Sequence, residues 1–273
     1  MATIIEQLQE TTAYIRNLYT HTPVAGIVLG SGLGNFSGEM TVEKEIDYNE
    51  IPHFPVATVK GHHGKLVFGS LGGKKVLCMS GRFHYYEGYT PEQVAYPIRV
   101  MKFLGIQYLL ISNAAGGVDP SFTIGDLMII TDHISFATVN PLLGKNYAEL
   151  GPRFPDMSEP YKKDLIQKAK QVAASLNIPV KEGVYFGVTG PTFETRAEYK
   201  LIHMLGGAAV GMSTVQEVIT AVHMDIPVFA MSVITDIGIR PEDNVITHED
   251  VLKAAKEAEP KLTAIFKQLI AVL

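Results

Sequence analysis

What this chain can fold into is set by short stretches that are apolar at every position, each stopped by a glycine-rich or polar turn. Residues 24–29 (Val-Ala-Gly-Ile-Val-Leu) end at Gly30-Ser31-Gly32-Leu33-Gly34, and residues 108–112 end at Asn113-Ala114-Ala115-Gly116-Gly117. Residues 226–234 end at Thr235-Asp236. A strand wetted on one side alternates apolar and polar residues; a strand covered on both faces need not, and that is the habit of parallel sheets. Between these stretches lie helix-start signals: Thr3 with Glu6, Thr90 with Gln93, Thr195 with Glu198 and Thr247 with Asp250 have capping-box spacing. The spacing predicts helices from these points, with Pro91 at a favoured first-turn position, Pro97 and Pro260 as bends and Gly105 as a stop. A further helix is expected over 159–176 from a Ser158 cap. Residues 65–71 and 75–80 flank Gly72-Gly73 as a hairpin, and 126–131 and 183–189 read as strands. The fold class is therefore α/β, a single domain over 1–273 with a mostly parallel or mixed twisted sheet covered by helices on both faces. In such sheets ligands sit at the carboxyl ends of strands. That directs attention to 30–34, 61–64, 112–117, 211–213 and 235–236.

Composition removes several function classes. With 273 residues, a formal net charge of −5 and only 19% charged residues, the chain does not read as a nucleic-acid binder working by bulk electrostatics. The one cysteine, Cys78, excludes an intrachain disulfide and a cysteine-built zinc site. No uninterrupted apolar run reaches the roughly 20 residues of a membrane span. Residues 1–20 mix glutamates among the apolar positions, so the expected compartment is the cytoplasm.

The turns carry the chemistry. Gly30-Ser31-Gly32-Leu33-Gly34 follows a strand, so its backbone amides can form an anion-binding concavity with the Ser31 hydroxyl beside them. Asn35 stands where a dinucleotide fingerprint needs its last glycine, and no Gly-Lys-Ser/Thr ending marks a P-loop. Arg82 offers a planar fork suited to phosphate oxygens, and His62 and His84 can add donors near neutral pH. A metal reading would take His62, His63 and His84 as ligands, but they lack metalloprotease spacing and a set of carboxylate or thiolate partners. Phe193 and Glu194 stand side by side just before a helix. Glu194 there is either a first-turn carboxylate favoured by the helix dipole or, with Phe193, the grip on a planar heterocycle. Gly211-Met212-Ser213-Thr214 reads as a strand-to-helix turn with Ser213 or Thr214 as cap.

Taken in order, these segments resemble the trimeric-type purine nucleoside phosphorylases over essentially the whole length. The resemblance rests on Gly-Ser-Gly-Leu-Gly at 30–34, Gly-His-His-Gly at 61–64, Gly-Arg-Phe-His at 81–84 and Tyr-Glu-Gly-Tyr at 86–89. It continues through Asn-Ala-Ala-Gly-Gly at 113–117, Asp132-His133-Ile134, Arg153-Phe154-Pro155, Gly-Pro-Thr-Phe-Glu-Thr at 190–195 and Gly-Met-Ser-Thr-Val at 211–215.

The resemblance implies phosphorolysis of a purine nucleoside to free purine and ribose 1-phosphate, or the deoxy sugar, in a homotrimer. It implies no metal and no organic cofactor, with inorganic phosphate as co-substrate. Ser31, His62, Arg82, His84, Ala114 and Ser213 are then the expected phosphate ligands. Tyr86, Tyr185, Met212 and His248 are expected around the sugar, with Phe154 lent by a neighbouring subunit. Ala115, Phe193, Glu194, Val210, Thr235 and Asp236 are expected to frame the base, and His84, Glu194 and Asp236 to act in catalysis.

Asp236 departs from relatives selective for 6-oxopurines, which carry asparagine there. An ionised carboxylate only accepts, so it welcomes a 6-amino group, whereas a protonated Asp236 would donate to N7; Glu194 pairs with the N1–H of hypoxanthine and guanine. Two further departures, Gln216 for proline and His63 for alanine, read as local variants. The rival readings are a 5′-methylthioadenosine phosphorylase, against which His248 argues, a nucleosidase, and a non-catalytic nucleoside- or phosphate-binding protein.

Overall fold

The computed structural model describes residues 2–56, 64–239 and 245–273. The helices are α1 (Ile4–Leu18), α2 (Pro91–Leu104), α3 (Lys163–Ser175), α4 (Arg196–Met204), α5 (Val215–His223) and α6 (His248–Ala271). The strands are β1 (Ala25–Val28), β2 (Thr41–Asp47), β3 (Lys65–Leu71), β4 (Lys74–Ser80), β5 (Tyr108–Gly117), β6 (Leu127–Ile134), β7 (Lys181–Gly187), β8 (Ala209–Gly211) and β9 (Val228–Ile237). They form one mixed sheet in the order β2-β3-β4-β1-β5-β8-β7-β6-β9, and β9 pairs back onto β5. The last five strands therefore close into a ring, a closure that the strand pattern of the sequence does not reveal. Helices α1 and α5 both pack on α2, while α3 packs on α6, which lies against β9, β5 and β3.

Local signals hold where they rest on neighbouring residues. All four expected capping boxes form: the hydroxyls of Thr3, Thr90, Thr195 and Thr247 accept from the backbone three residues on, and the side chains there accept in return. Gly105 ends α2 in the left-handed conformation.

Three expectations fail, each to a competing interaction. The expected helix over 159–176 begins only at Lys163, because Pro160 disfavours helical backbone at Glu159. The Ser158 hydroxyl donates instead to Asp156 Oδ2 at 2.8 Å. Asn113–Gly117, expected as a loop, continues β5, because its backbone pairs with β9 in parallel and, at Gly116 and Gly117, with β8 in antiparallel. Thr235 and Asp236 likewise lie within β9 rather than after it.

That continuation positions the site. The β5–β9 register runs Ala115 opposite Ile234, then Gly116 opposite Asp236, so Thr235 is an extra residue on β9. Such a bulge turns the side chains beyond it relative to a regular ladder. Here it brings Asp236 over Gly116, where a side-chain carbon would come within 2.9 Å of Asp236 Oδ2. A second close approach needs glycine at Gly30, where a side-chain carbon would stand 2.7 Å from the Asn113 backbone. No described helix is long and apolar enough to cross a membrane.

Candidate active site

The carboxyl ends of β1, β4, β5 and β9 open onto a cavity of about 330 Å3, at the small end of what small-molecule sites occupy. Ser31 reaches it from the turn after β1, Arg82, His84 and Tyr86 from the turn after β4, and Ala114 and Ala115 from β5. Val210, Met212 and Ser213 approach from β8 and its turn into α5, and Thr235 and Asp236 from β9. Phe193, Glu194 and His248 complete the wall from the starts of α4 and α6. Residues scattered over more than two hundred positions thus share one space.

Two expected residues stand elsewhere, and a third lies outside the described residues. His62 lies outside the described residues, as does His63, so the histidine set weighed as metal ligands has only His84 among them. Tyr185 is fully buried behind the wall rather than on it, and its hydroxyl accepts from the Ser213 backbone N–H at 3.4 Å. Its contact is with the turn that carries Ser213, not with the cavity. Phe154 is 87% exposed beside a different cavity, walled by Asp132, His133, Arg153 and Pro155.

The polar end of the cavity is organised by two carboxylates that sequence reasoning did not single out. Arg82, 1% exposed, donates Nε to Glu217 Oε1 at 3.1 Å and Nη2 to Glu217 Oε2 at 2.7 Å. Its Nη1 donates to the Ser112 carbonyl at 2.9 Å and the Ser213 hydroxyl at 3.1 Å. The guanidinium is therefore held rigid by a buried bidentate partner. Glu217 sits in the first turn of α5, a helix otherwise buried along its apolar run, where a carboxylate reads as a dipole complement. The signal available was its burial by context: a charged residue inside a stretch with no solvent face. Glu87 accepts from His84 Nδ1 at 3.0 Å and from its backbone N–H at 2.8 Å, and the His84 ring stacks on Tyr86 at 4.7 Å. Burial pushes the imidazole below its ordinary value, against the pull of Glu87, so the ring is neutral near pH 7. The turn itself is stiffened where Asn113 Nδ2 donates to Thr214 Oγ1 at 2.8 Å. Thr214 begins α5 at a φ of 73° with no side-chain cap, so the expected cap does not form.

At the opposite end Glu194 and Asp236 face each other across Tyr199. Burial, and then the Asp236 charge, raise the Glu194 carboxyl above its ordinary value. The Tyr199 phenol is pushed up by burial and by both carboxylates, so it stays protonated. Thr235 Oγ1 donates to Asp236 Oδ1 at 3.0 Å, orienting that carboxylate. Tyr199 was invisible from sequence because it reads as the apolar face of an amphipathic helix.

Outside the cavity His133 is half-buried against Tyr161, with 3.0 Å from Nδ1 to the hydroxyl, and desolvation lowers its pKa. A histidine that resists protonation when folded binds fewer protons than the unfolded chain below about pH 6.5. Stability contributed by neutral His84 and His133 is therefore complete above that value and lost as pH falls below it. Urea unfolding at pH 7.5 and pH 5.5 is expected to show lower stability at the acid value, with a smaller difference in His133→Gln; equal differences would refute the assignment.

A family model described as the phosphorylase superfamily matches residues 24–271. The chain belongs to that superfamily. It is 45% identical over 266 residues to purine nucleoside phosphorylase 1 of Bacillus subtilis, covering 97% of this chain and 98% of the relative. It is 44% identical to the purine nucleoside phosphorylase of Rattus norvegicus, covering 98% of this chain and 94% of that one. Among solved structures, isoform 2 of the Schistosoma mansoni enzyme in complex with cytosine and ribose-1-phosphate superposes with a TM-score of 0.94 at 43% identity, covering 98% of this chain and 96% of that one. A Schistosoma mansoni purine nucleoside phosphorylase in complex with adenosine gives a TM-score of 0.94 at 40% identity, covering 100% and 99%.

Proposed function

We propose that the protein catalyses reversible phosphorolysis of purine ribonucleosides and 2′-deoxyribonucleosides, yielding free purine and ribose or deoxyribose 1-phosphate. The observation that carries this reading is one cavity with a hydroxyl-and-guanidinium cluster at one end and the acidic pair Glu194 and Asp236 with an aromatic ring at the other. Breaking the C1′–N9 bond places positive charge on the sugar and negative charge on the purine. Phosphate held by Arg82, Ser31, Ser213, His84 and the Ala114 backbone lies under C1′, where its charge stabilises the cationic sugar and its oxygen then forms the new bond. His84 gives Nδ1 to Glu87, so a phosphate oxygen meets Nε2, which accepts a phosphate hydroxyl. His62 belongs to the same proposed phosphate set by resemblance. Tyr86, Met212 and His248 surround the sugar, His248 facing its 5′-hydroxyl. Phe193 and Val210 sandwich the purine above Ala115 and Thr235, and Glu194 and Asp236 address its polar edge.

Phosphate is the nucleophile, so this chemistry calls for no metal or organic cofactor. The exposure of Phe154 supports a homotrimer in which that ring closes a neighbour's sugar site, because an exposed phenylalanine beside a cavity is what an interface residue presents. A cytoplasmic location accords with the lone thiol, Cys78, which is buried and held protonated by that burial.

Asp236 makes 6-aminopurine nucleosides substrates alongside 6-oxopurine ones. Steady-state assays with inosine, guanosine, adenosine and 5′-methylthioadenosine test the reading. Turnover of the first three ahead of methylthioadenosine is expected, and turnover of methylthioadenosine alone would replace it with the rival enzyme. Asp236→Asn should raise the inosine-to-adenosine ratio of kcat/KM by about 10-fold or more, the value of one hydrogen bond to a charged group. An unchanged ratio would remove Asp236 from base selection.

A further inference from the structure

Away from the reaction cavity, a pocket of about 280 Å3 opens between α2, α5 and the 141–147 segment. Its wall includes Arg99 and Glu92 from α2, His223 from α5, and Lys145 and Asn146 from the segment. Arg99 is only 7% exposed, yet among the described residues it has no hydrogen bond and no ion pair. Arg82, also buried, is by contrast held by Glu217, Ser112 and Ser213. His223, 4% exposed, likewise has no partner of full hydrogen-bond geometry at either ring nitrogen, although the Gly151 and Pro152 backbone carbonyls pull weakly on its ring N–H. A desolvated guanidinium without a partner is costly, so such groups normally meet an anion. Glu92 acts on Arg99 only through its longer-range field. With Arg99 and Lys145 against Glu92, the pocket keeps one net positive charge.

We infer that this pocket is an oxyanion-binding site, in which a carboxylate, phosphate or sulfate group sits on the Arg99 guanidinium, takes the His223 ring N–H and meets Lys145 at the rim. The guanidinium fork suits two oxygens of one group. The neutral His223 ring, its pKa lowered by burial and then by Arg99, has one N–H to donate. The oxyanion comes either free from solution or as an acidic side chain of a second copy of the chain.

Wild-type crystals grown without phosphate or sulfate and soaked in selenate decide the matter directly. An anomalous peak within hydrogen-bonding distance of Arg99, or a neighbouring chain's carboxylate seated there, is the expected result; an Arg99 with no anion on it overturns the inference. Equilibrium dialysis with labelled phosphate separates the two sources. A free-ion site gives two phosphates per wild-type chain and one in Arg99→Met, with the phosphate KM changed less than 2-fold. A partner carboxylate gives one phosphate in both and self-association at least 10-fold weaker in Arg99→Met by sedimentation. One phosphate in both with unchanged association contradicts both forms.

Discussion

Glu217→Gln is expected to lower the stability of the folded chain by about 3–5 kcal/mol, because it leaves the Arg82 charge buried without its counter-charge. For a domain of this size that is a fall in Tm on the order of 10 °C. The pair is bidentate and both side chains are at most 3% exposed, so water cannot take over the lost partner. Two consequences separate this account from a simple packing loss. Added phosphate should stabilise Glu217→Gln more than the wild type, since the dianion replaces the missing carboxylate beside Arg82. The double replacement Arg82→Met with Glu217→Leu should recover much of the lost stability, as apolar substitutes for buried pairs commonly do. Its kcat/KM for phosphate, by contrast, should fall by about 10^3-fold, the scale of losing a preorganised charge at the reacting centre. Thermal unfolding with and without phosphate, alongside phosphate kinetics, checks all three. Wild-type stability in Glu217→Gln would show that Arg82 does not depend on it.

The second large effect is at the other end of the cavity. Glu194→Gln should reduce kcat/KM for inosine by about 10^2–10^3-fold, roughly 3–4 kcal/mol of transition-state stabilisation. As charge moves onto the departing purine, the carboxylate's bond to N1–H holds the ring in place and shares the redistribution. Adenosine has no N1–H, so its kcat/KM should fall less, and the inosine-to-adenosine ratio should drop. The same substitution should raise stability, because burial and the facing Asp236 charge already disfavour an ionised Glu194. Lower activity with higher stability is the signature of a strained functional group. Equal losses for both nucleosides would mean that Glu194 acts on the fold rather than on the base.

How legible the molecule is from its sequence depends on the range of the interactions involved. The four capping boxes were readable because each joins residues three apart, and their threonines all cap. The apolar strands and the turns after them were readable because burial on both faces leaves no polar alternation. Most of the expected site residues wall one cavity for the same reason: strand ends in such a sheet face a common edge. Asn113–Gly117 misled because its composition is that of a turn, while two neighbouring strands, both far away in sequence, satisfy its backbone. The Thr235 bulge and the closure of β9 onto β5 depend on register, which no local pattern encodes. Glu217 and Glu87 act by holding Arg82 and His84, so nothing in their immediate neighbourhood distinguishes them from ordinary helix and turn residues. Tyr185 shows the converse: a residue matched by resemblance to the sugar stands here behind the wall, supporting Ser213.

If phosphate seated beside Arg82 attacks the sugar as the purine departs, purine release depends on phosphate. Purine release from inosine in phosphate-free buffer, followed by addition of phosphate with both sugar products quantified, tests it most directly. Negligible hypoxanthine is expected until phosphate is added, then one ribose 1-phosphate for each hypoxanthine. Release at the same rate without phosphate, with free ribose as the product, would contradict it.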